Sequence, residues 1–170
     1  MSNLENYGKE LLNKNPEILA KRRIGIINNY QEFTNQILEE LKLLNMENYE
    51  IKIAKKINQK GFNMKWHIDD AQLIKHNKEN TKKNQIHIMN RHYLHYNTDS
   101  IPEYTCLIYD SDYNIDFIGG TLEFADHTII KPKRGMYVFF DSREVHKVNI
   151  IKSGIRENYL IKFYRKDLNK

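Results

Sequence analysis

Three residues of metal-binding types occur at a spacing that suits a shared site. The segment Trp66-His67-Ile68-Asp69 places an imidazole and a carboxylate two positions apart. On an extended strand, side chains at i and i+2 point to the same face, so His67 and Asp69 can approach one ion together. With a second imidazole they would form a 2-His-1-carboxylate facial triad. That ligand set suits Fe(II) and leaves coordination positions open for other molecules.

His146 is the candidate for the second imidazole. It follows Asp69 by 77 residues and begins a predicted strand, after the apolar run 138–140 and a polar turn. This long separation costs little, because loop-closure entropy grows only with the logarithm of length. The competing interpretation is a partly buried core histidine, and a histidine and aspartate two residues apart also occur by chance. The spacing therefore predicts a metal site without requiring one.

Arg156 adds a second kind of chemistry. It follows His146 by ten residues, after a predicted turn at Ser153-Gly154. A strand that left the metal and turned there would start the next strand close to Arg156. A guanidinium can hold a carboxylate through two parallel hydrogen bonds. A five-carbon diacid that chelates iron at one end needs such a cation at the other, so the order of these four residues favours a joint site over a surface arginine.

The elements that must position these residues are helical first and strand-rich afterwards. One helix is predicted over residues 2–13, and a second from Pro16 with Asn15 as its N-cap. The second helix, which Gly25 could interrupt, carries apolar residues in steps of three and four: Ile26, Tyr30, Phe33, Ile37, Leu41 and Leu44. From Tyr49 onward short β-rich runs alternate with turn signals, which favours a sandwich or jelly roll. The runs are 51–57, 62–67, 86–96, 104–109, 121–124, 128–131, 136–140, 145–151 and 159–164.

Composition limits the class of protein. The 170 residues include 40% apolar side chains, which suffices for one domain with a core. No stretch approaches the roughly 20 apolar residues that span a bilayer, and the N-terminus has no apolar region typical of a secretory signal. The single cysteine, Cys106, excludes an intrachain disulfide. We therefore expect a soluble, intracellular protein without a membrane partner. The net charge of +5 is dispersed, which indicates compositional bias more than a nucleic-acid surface.

The ordered blocks resemble the 2-oxoglutarate/Fe(II) dioxygenase superfamily, and within it the prolyl-4-hydroxylase-like branch. The resemblance covers residues 49–165. Segment 66–70 resembles the first metal motif, and segment 131–140 resembles the run that enters the second metal histidine. Segment 104–110 resembles a central strand whose tyrosine contacts the cosubstrate, which would make Tyr109 that residue. Segment 119–124 resembles the Gly-Gly turn and the strand after it, where Leu122 would line the cosubstrate pocket, and Arg156 matches the cosubstrate arginine.

The resemblance implies a mainly β fold: a double-stranded β-helix (a jelly-roll, cupin-like core) with N-terminal α-helices packed on one side. Residues 1–48 would form the helical segment and residues 49–170 the dioxygenase domain, within one structural unit. The metal ligands would be His67, Asp69 and His146, with no side-chain acid or base needed. The implied reaction is hydroxylation of a C–H bond, which would require Fe(II), the cosubstrate 2-oxoglutarate, molecular oxygen and ascorbate. The leading substrate class would be a protein or peptide side chain. Residues 75–85 would be a mobile loop that orders over substrate.

Two departures and two alternatives accompany the resemblance. Many prolyl hydroxylases carry a tyrosine about ten residues before the first metal histidine, where this chain has Lys56-Ile57-Asn58. Asn158 stands where related enzymes often have a small hydroxyl residue. Segment 156–162 partly resembles the R-x-N-x-T-x-R strand of AlkB-type demethylases, so nucleic acid is an alternative substrate. A cupin-like binding module without oxidation is the other alternative. The sequence does not indicate the oligomeric state.

Overall fold

The computed structural model describes residues 3–27, 49–69, 71–75, 85–87, 92–96 and 102–166. Within these ranges lie two helices and thirteen strands. They are α1 (Asn3–Lys14), α2 (Pro16–Ala20), β1 (Arg23–Ile26), β2 (Tyr49–Gln59), β3 (Met64–His67), β4 (Ala71–Lys75), β5 (Gln85–His87), β6 (His92–Tyr96), β7 (Tyr104–Tyr109), β8 (Phe117–Gly119), β9 (Leu122–Phe124), β10 (Ile129–Ile130), β11 (Met136–Asp141), β12 (His146–Val148) and β13 (Ile151–Arg165). No described helix is both long and apolar enough to cross a bilayer.

The strands form three sheets. The major sheet has six strands in the order β1-β11-β7-β13-β2, with β8 attached to β13. The minor sheet has four strands in the order β10-β9-β12-β3, and a third sheet contains β4, β6 and β5. Buried side chains of β7 and β11 pack against those of β9, β10 and β12, so the core lies between the major and minor sheets. This two-layer antiparallel arrangement is that of a β-sandwich.

The central strand β7 is buried on both faces. Leu107 and Tyr109 join the core between the sheets, whereas Tyr104, Cys106 and Ile108 join a second cluster on the other side of the major sheet. A strand buried on both faces reads as an unbroken apolar run, which explains why its predicted limits, residues 104–109, match the observed ones.

Strand β13 carries Arg156 and differs from its prediction. It runs without interruption through Ser153 and Gly154, where the sequence predicted a turn. The register against β8 shifts between Ile151 and Ser153, so the strand bulges at this point. Gly154 has φ +80°, and a Cβ there would lie 2.1 Å from the Asp116 carbonyl oxygen. The turn signal therefore marks a close backbone contact inside a strand.

The prediction of one long second helix was wrong at its first apolar position. Helix α2 ends at Ala20, and the chain then forms β1, which pairs with β11 at the edge of the major sheet. Gly25 lies against the Tyr137 ring, where a Cβ would come within 2.6 Å. Pairing with a sheet edge thus replaces the helix around Ile26. The remaining positions of that apolar stripe, residues 30–44, lie outside the described residues.

The predicted run 86–96 was also wrong as a single strand. Its described parts are the antiparallel strands β5 and β6, which pair with each other, while β6 also pairs with β4. Residues 76–84, the centre of the predicted loop, lie outside the described part of the chain. Whether they close over substrate stays a prediction, and so does the division of the chain at residue 48.

Candidate functional site

The three sequence-predicted metal ligands meet at one end of the minor sheet. His67 ends β3 and His146 begins β12, and the antiparallel register places these residues opposite each other. Asp69 follows two residues after His67, and one potential ligand atom from each of the three residues lies within 4.8 Å of the others. The Asp69 Oδ1 atom is 3.4 Å from His67 Nε2 and 3.3 Å from His146 Nε2. Adjacent ligands of an octahedral ion with bonds of about 2.1 Å are roughly 3 Å apart, so this arrangement fits such an ion.

Backbone carbonyl groups orient both imidazoles. His67 Nδ1 donates a hydrogen bond to the Lys65 carbonyl oxygen at 2.7 Å, and His146 Nδ1 donates one to the Glu144 carbonyl oxygen at 2.9 Å. A proton held on Nδ1 leaves Nε2 with its lone pair, directed toward Asp69. Metal-bound histidines commonly have their second nitrogen fixed in this way. The carbonyl two residues before each histidine, within β3 for His67 and just before β12 for His146, therefore selects the tautomer that can bind a metal.

Asp69 has a different role for each of its oxygen atoms. Oδ1 faces the two imidazoles, whereas Oδ2 accepts a hydrogen bond from the Thr105 hydroxyl at 2.9 Å. The Thr105 hydroxyl also lies 2.9 Å from that of Ser142, so three buried polar groups form a chain. This arrangement holds the carboxylate with one oxygen free for a cation. Sequence reasoning missed Thr105, whose only signal is its inward position on an apolar strand.

The electrostatics of the cluster favour positive charge at its centre. Burial alone would raise the pKa of the Asp69 carboxyl, but the adjacent His146 and His67 imidazoles hold that pKa well below its usual range. Burial alone would lower the pKa of His146, but the Asp69 carboxylate raises it. The carboxylate is therefore ionised and favours the charged form of the His146 imidazole. A divalent cation would supply that charge more completely than a proton.

The cluster opens into a cavity of about 380 Å³ between the two sheets. Leu122, Phe140 and Val148 provide apolar lining near the metal ligands, and the Phe140 ring packs edge-on against His146 with centroids 5.1 Å apart. Arg156 lines the same cavity from the major sheet. Apolar walls with a few convergent polar groups are typical of small-molecule sites. Leu122, which the resemblance assigns to the cosubstrate pocket, lines this cavity, and its contact with a cosubstrate stays a prediction.

Two buried polar atoms at the Arg156 end have no hydrogen-bond partner within the described residues. They are Arg156 Nε and the Tyr109 hydroxyl oxygen. The guanidinium carbon lies 5.3 Å from the centre of the Tyr109 ring, so the two side chains are in contact. Burial raises the pKa of the Tyr109 phenol, although the nearby guanidinium opposes that shift, and the hydroxyl keeps its proton to donate. Buried polar groups are almost always paired, so these atoms indicate a ligand.

The strand register explains which other side chains reach the cavity. Arg156 pairs with Asn58 on β2, and Asn158 pairs with Lys56, all on the inner face of the major sheet. Arg156 Nη1 donates a hydrogen bond to Asn158 Oδ1 at 3.1 Å and makes a longer one of 3.5 Å to Asn58 Oδ1. The two positions where the sequence departs from prolyl hydroxylases thus both contact the arginine. Lys56 and Lys162 also line the cavity and were not predicted.

Comparison with solved structures identifies the fold. The viral collagen prolyl hydroxylase vCPH of Paramecium Bursaria Chlorella virus-1, solved with 2OG, is 15% identical, with a TM-score of 0.52 over 96% of this chain and 90% of that chain. A Pseudomonas putida prolyl-4-hydroxylase is 12% identical, with a TM-score of 0.50 over 95% of this chain and 82% of that chain. The chain therefore has the fold of the 2OG-Fe(II) oxygenases, and the predicted jelly roll is confirmed.

Comparisons at the level of sequence give no match. No family model matches the chain, and no curated protein does. Since a shared fold supports many functions, the likeness to prolyl hydroxylases does not by itself assign their activity to this chain. The arrangement of the side chains must carry that argument.

Proposed function

We propose that this chain is an Fe(II)- and 2-oxoglutarate-dependent oxygenase that hydroxylates a C–H bond. The observation that carries the proposal is the shared cavity. It joins a His-Asp-His cluster at one end to a buried arginine at the other, whose Nε has no hydrogen-bond partner among the described residues. A metal site alone would need no buried cation across the cavity, and a plain binding module would need no facial triad.

The donor set fits Fe(II). Two neutral imidazoles and one carboxylate bind one face of a six-coordinate ion and leave the opposite face for other ligands. His67, Asp69 and His146 would hold the ion, while Thr105 keeps the second carboxylate oxygen turned away from it. When bound together, Fe(II), 2-oxoglutarate and O₂ insert one oxygen atom into a C–H bond and place the other in succinate, with release of CO₂. The chain's own tasks are to hold these groups and exclude water.

Arg156 and Tyr109 fit the far carboxylate of the cosubstrate. Both are buried, and both offer a donor that has no partner within the described residues. The guanidinium can bind a carboxylate through two hydrogen bonds, and the Tyr109 hydroxyl can add a third. Asn158 and Asn58 accept from Nη1 and so restrict the orientation of the guanidinium. Leu122 would pack against the carbon chain between the two ends.

A protein or peptide side chain is the substrate class that we propose first. This choice is supported by the fold shared with a viral and a bacterial prolyl hydroxylase, both covered over most of their length. Ascorbate would serve as an accessory reductant, as the resemblance to the 2-oxoglutarate/Fe(II) dioxygenases implies.

Nucleic acid is the second candidate, because one observation favours it. Arg156, Asn158 and Lys162 lie at alternate positions on one face of β13, and all three line the cavity together with Lys56. Arg156 and Asn158 match the first two of the four key positions of the demethylase strand, whereas Leu160 and Lys162 replace its threonine and its last arginine. Two lysines near the reaction centre would suit a phosphate backbone.

One experiment tests both the proposal and the choice of substrate. The purified protein would be incubated with Fe(II), ascorbate and 2-oxoglutarate, and succinate formation measured with and without proline-rich peptides or methylated oligonucleotides. We expect slow succinate formation alone and stimulation by peptides. Stimulation by the oligonucleotides only would favour the second candidate. Succinate formation no greater than that of His67→Ala would leave the non-catalytic binding module as the better interpretation.

A further inference from the structure

Arg22 joins the N-terminal segment to the back of the metal-binding end of β12. It lies between α2 and β1, yet its guanidinium forms hydrogen bonds to both carboxylate oxygens of Glu144, one of them Nε–Oε2 at 3.2 Å. It also contacts Asp126 at 3.2 and 3.3 Å and the Thr128 hydroxyl at 3.1 Å. The Nε, Nη1 and Nη2 atoms of Arg22 thus all donate hydrogen bonds, to Glu144 before β12 and to Asp126 and Thr128 between β9 and β10. A lysine, with a single ammonium group, could not reproduce this pattern.

Glu144 connects this ion pair to a metal ligand. Its side chain is fully buried, and its backbone carbonyl accepts the hydrogen bond from His146 Nδ1. The side chain that Arg22 holds and the carbonyl that orients the imidazole therefore belong to the same residue. Movement of the Glu144 backbone would tilt the imidazole away from Asp69.

A second route to His146 passes through an aromatic ring. The Arg22 guanidinium lies 4.0 Å from the centre of the Phe124 ring, and that ring lies 6.2 Å from the His146 imidazole. Phe124 is also directly opposite His146 in the pairing of β9 with β12. Arg22 therefore contacts both the residue whose carbonyl oxygen orients His146 and the aromatic ring that lies beside the His146 imidazole.

Helix α1 packs against the segments that carry the metal ligands. Leu4 lies in one buried cluster with Ile68, which stands between His67 and Asp69, and with Val145, which precedes His146. A Cβ at Gly8 would approach the Val145 Cβ to 2.7 Å, so helix and turn are in close contact. Residues 3–22 thus form a support behind the ligand cluster, with Arg22 as its polar contact.

We propose that Arg22 is a positioning residue for the metal centre, acting on His146 through Glu144 and Phe124. The inference rests on the proposed function, since it assumes that the His-Asp-His cluster binds a metal. It assigns to the N-terminal segment a part in setting metal affinity. Outer residues that orient metal ligands typically change affinity by about 10- to 100-fold, and we expect Arg22 to fall in this range.

The test measures metal binding without turnover. Co(II) is titrated into the metal-free protein, and both the dissociation constant and the visible absorption spectrum are recorded for the unaltered chain, Arg22→Met and Arg22→Lys. Arg143→Met is the matched control, because Arg143 is the neighbour of Glu144 in the chain but its guanidinium forms an ion pair with Asp141. All titrations are made well below the melting temperature of each variant.

We expect Arg22→Met to bind Co(II) about 10- to 100-fold more weakly than the unaltered chain and to show an altered absorption spectrum. Arg22→Lys should recover part of the affinity. Arg143→Met should match the unaltered chain in affinity and spectrum. If Arg22→Met does not fold, the double variant Arg22→Met/Glu144→Met replaces it, because exchange of a buried ion pair for apolar groups is often tolerated. This variant should also bind weakly.

Two results would overturn the proposal, and they are distinguishable. Unaltered Co(II) affinity and spectrum in Arg22→Met or in the double variant would show that Arg22 stabilises the fold only, and the proposed function would stand. Failure of the unaltered chain to bind Co(II) would remove the metal site and the inference together.

Discussion

The two sheets that enclose the cavity contribute different chemistry and hold it in different ways. The minor sheet carries the proposed metal ligands at or next to the ends of short strands, where backbone carbonyls orient the imidazoles and the N-terminal segment packs against the adjacent residues. The major sheet carries Arg156 within a 15-residue strand that is paired on both sides. The end proposed to bind metal therefore lies at strand ends fixed by neighbouring segments, whereas the end proposed to bind cosubstrate lies within a long, regularly paired strand. We expect the two ends to respond separately to substitution.

Loss of a metal ligand should have the largest effect. His67→Ala removes one of three ligands, and since outer contacts alone are worth about 10- to 100-fold, we expect succinate formation to fall by more than ~100-fold. Mn(II) should raise the melting temperature of the unaltered chain, because it would bind the folded state, and should not raise that of His67→Ala. His127→Ala is the control, because His127 is half-exposed and lies outside the cluster. An Mn(II)-dependent rise in His67→Ala would contradict the assignment.

Replacement of the arginine should affect only the cosubstrate. Arg156→Met loses the charged hydrogen bonds to the far carboxylate, worth about 3 kcal/mol, so the KM for 2-oxoglutarate should rise roughly 100-fold. The Mn(II)-dependent rise in melting temperature should persist, because no metal ligand has changed. Arg134→Met, at an exposed ion pair with Asp110, is the matched control. If Arg156→Met also lost the response to Mn(II), the two ends would not be separable.

Substitution of Thr105 tests whether the major sheet contributes to metal binding by the minor sheet. It belongs to the major sheet, yet it donates to the metal ligand Asp69. Thr105→Val keeps the shape and removes the hydrogen bond, so Co(II) affinity should fall by about tenfold with little change in the KM for 2-oxoglutarate. Thr105→Ser retains the hydroxyl and should restore binding. Equal Co(II) affinities of the valine and serine variants would show that the hydroxyl does not orient the carboxylate.

The smallest effect is expected at Asn158. Its amide oxygen accepts from Arg156 Nη1, and a single hydrogen bond contributes about 1 kcal/mol, so Asn158→Ala should raise the KM for 2-oxoglutarate about fivefold. The more distant Asn58, at 3.5 Å, should matter less, and Asn58→Ala serves as the comparison. A larger effect of Asn58→Ala would place the main support of the guanidinium on β2.

Much of the fold could be predicted, and the failures have a common cause. Buried strands such as β7 have long apolar runs that report their limits directly. Two of the wrong predictions, the helix through Ile26 and the turn at Ser153-Gly154, concern segments whose conformation depends on distant partners. The sheet edge at β11 converts the first into a strand, and the pairing with β8 carries the second through as a bulge. Local sequence contains neither partner.

The sequence alone determined the identities of the candidate ligands and the local geometry of one pair. His67 and Asp69 share a face because strand side chains alternate, which needs no knowledge of the rest of the chain. Tertiary structure decided that His146 faces them and that Arg22 contacts Glu144 behind His146. It also decided that Arg156 lies across the same cavity with a donor that has no partner in the described part of the chain. These relations join residues many positions apart, and only the packing of one sheet on another and of α1 on the minor sheet brings them into contact.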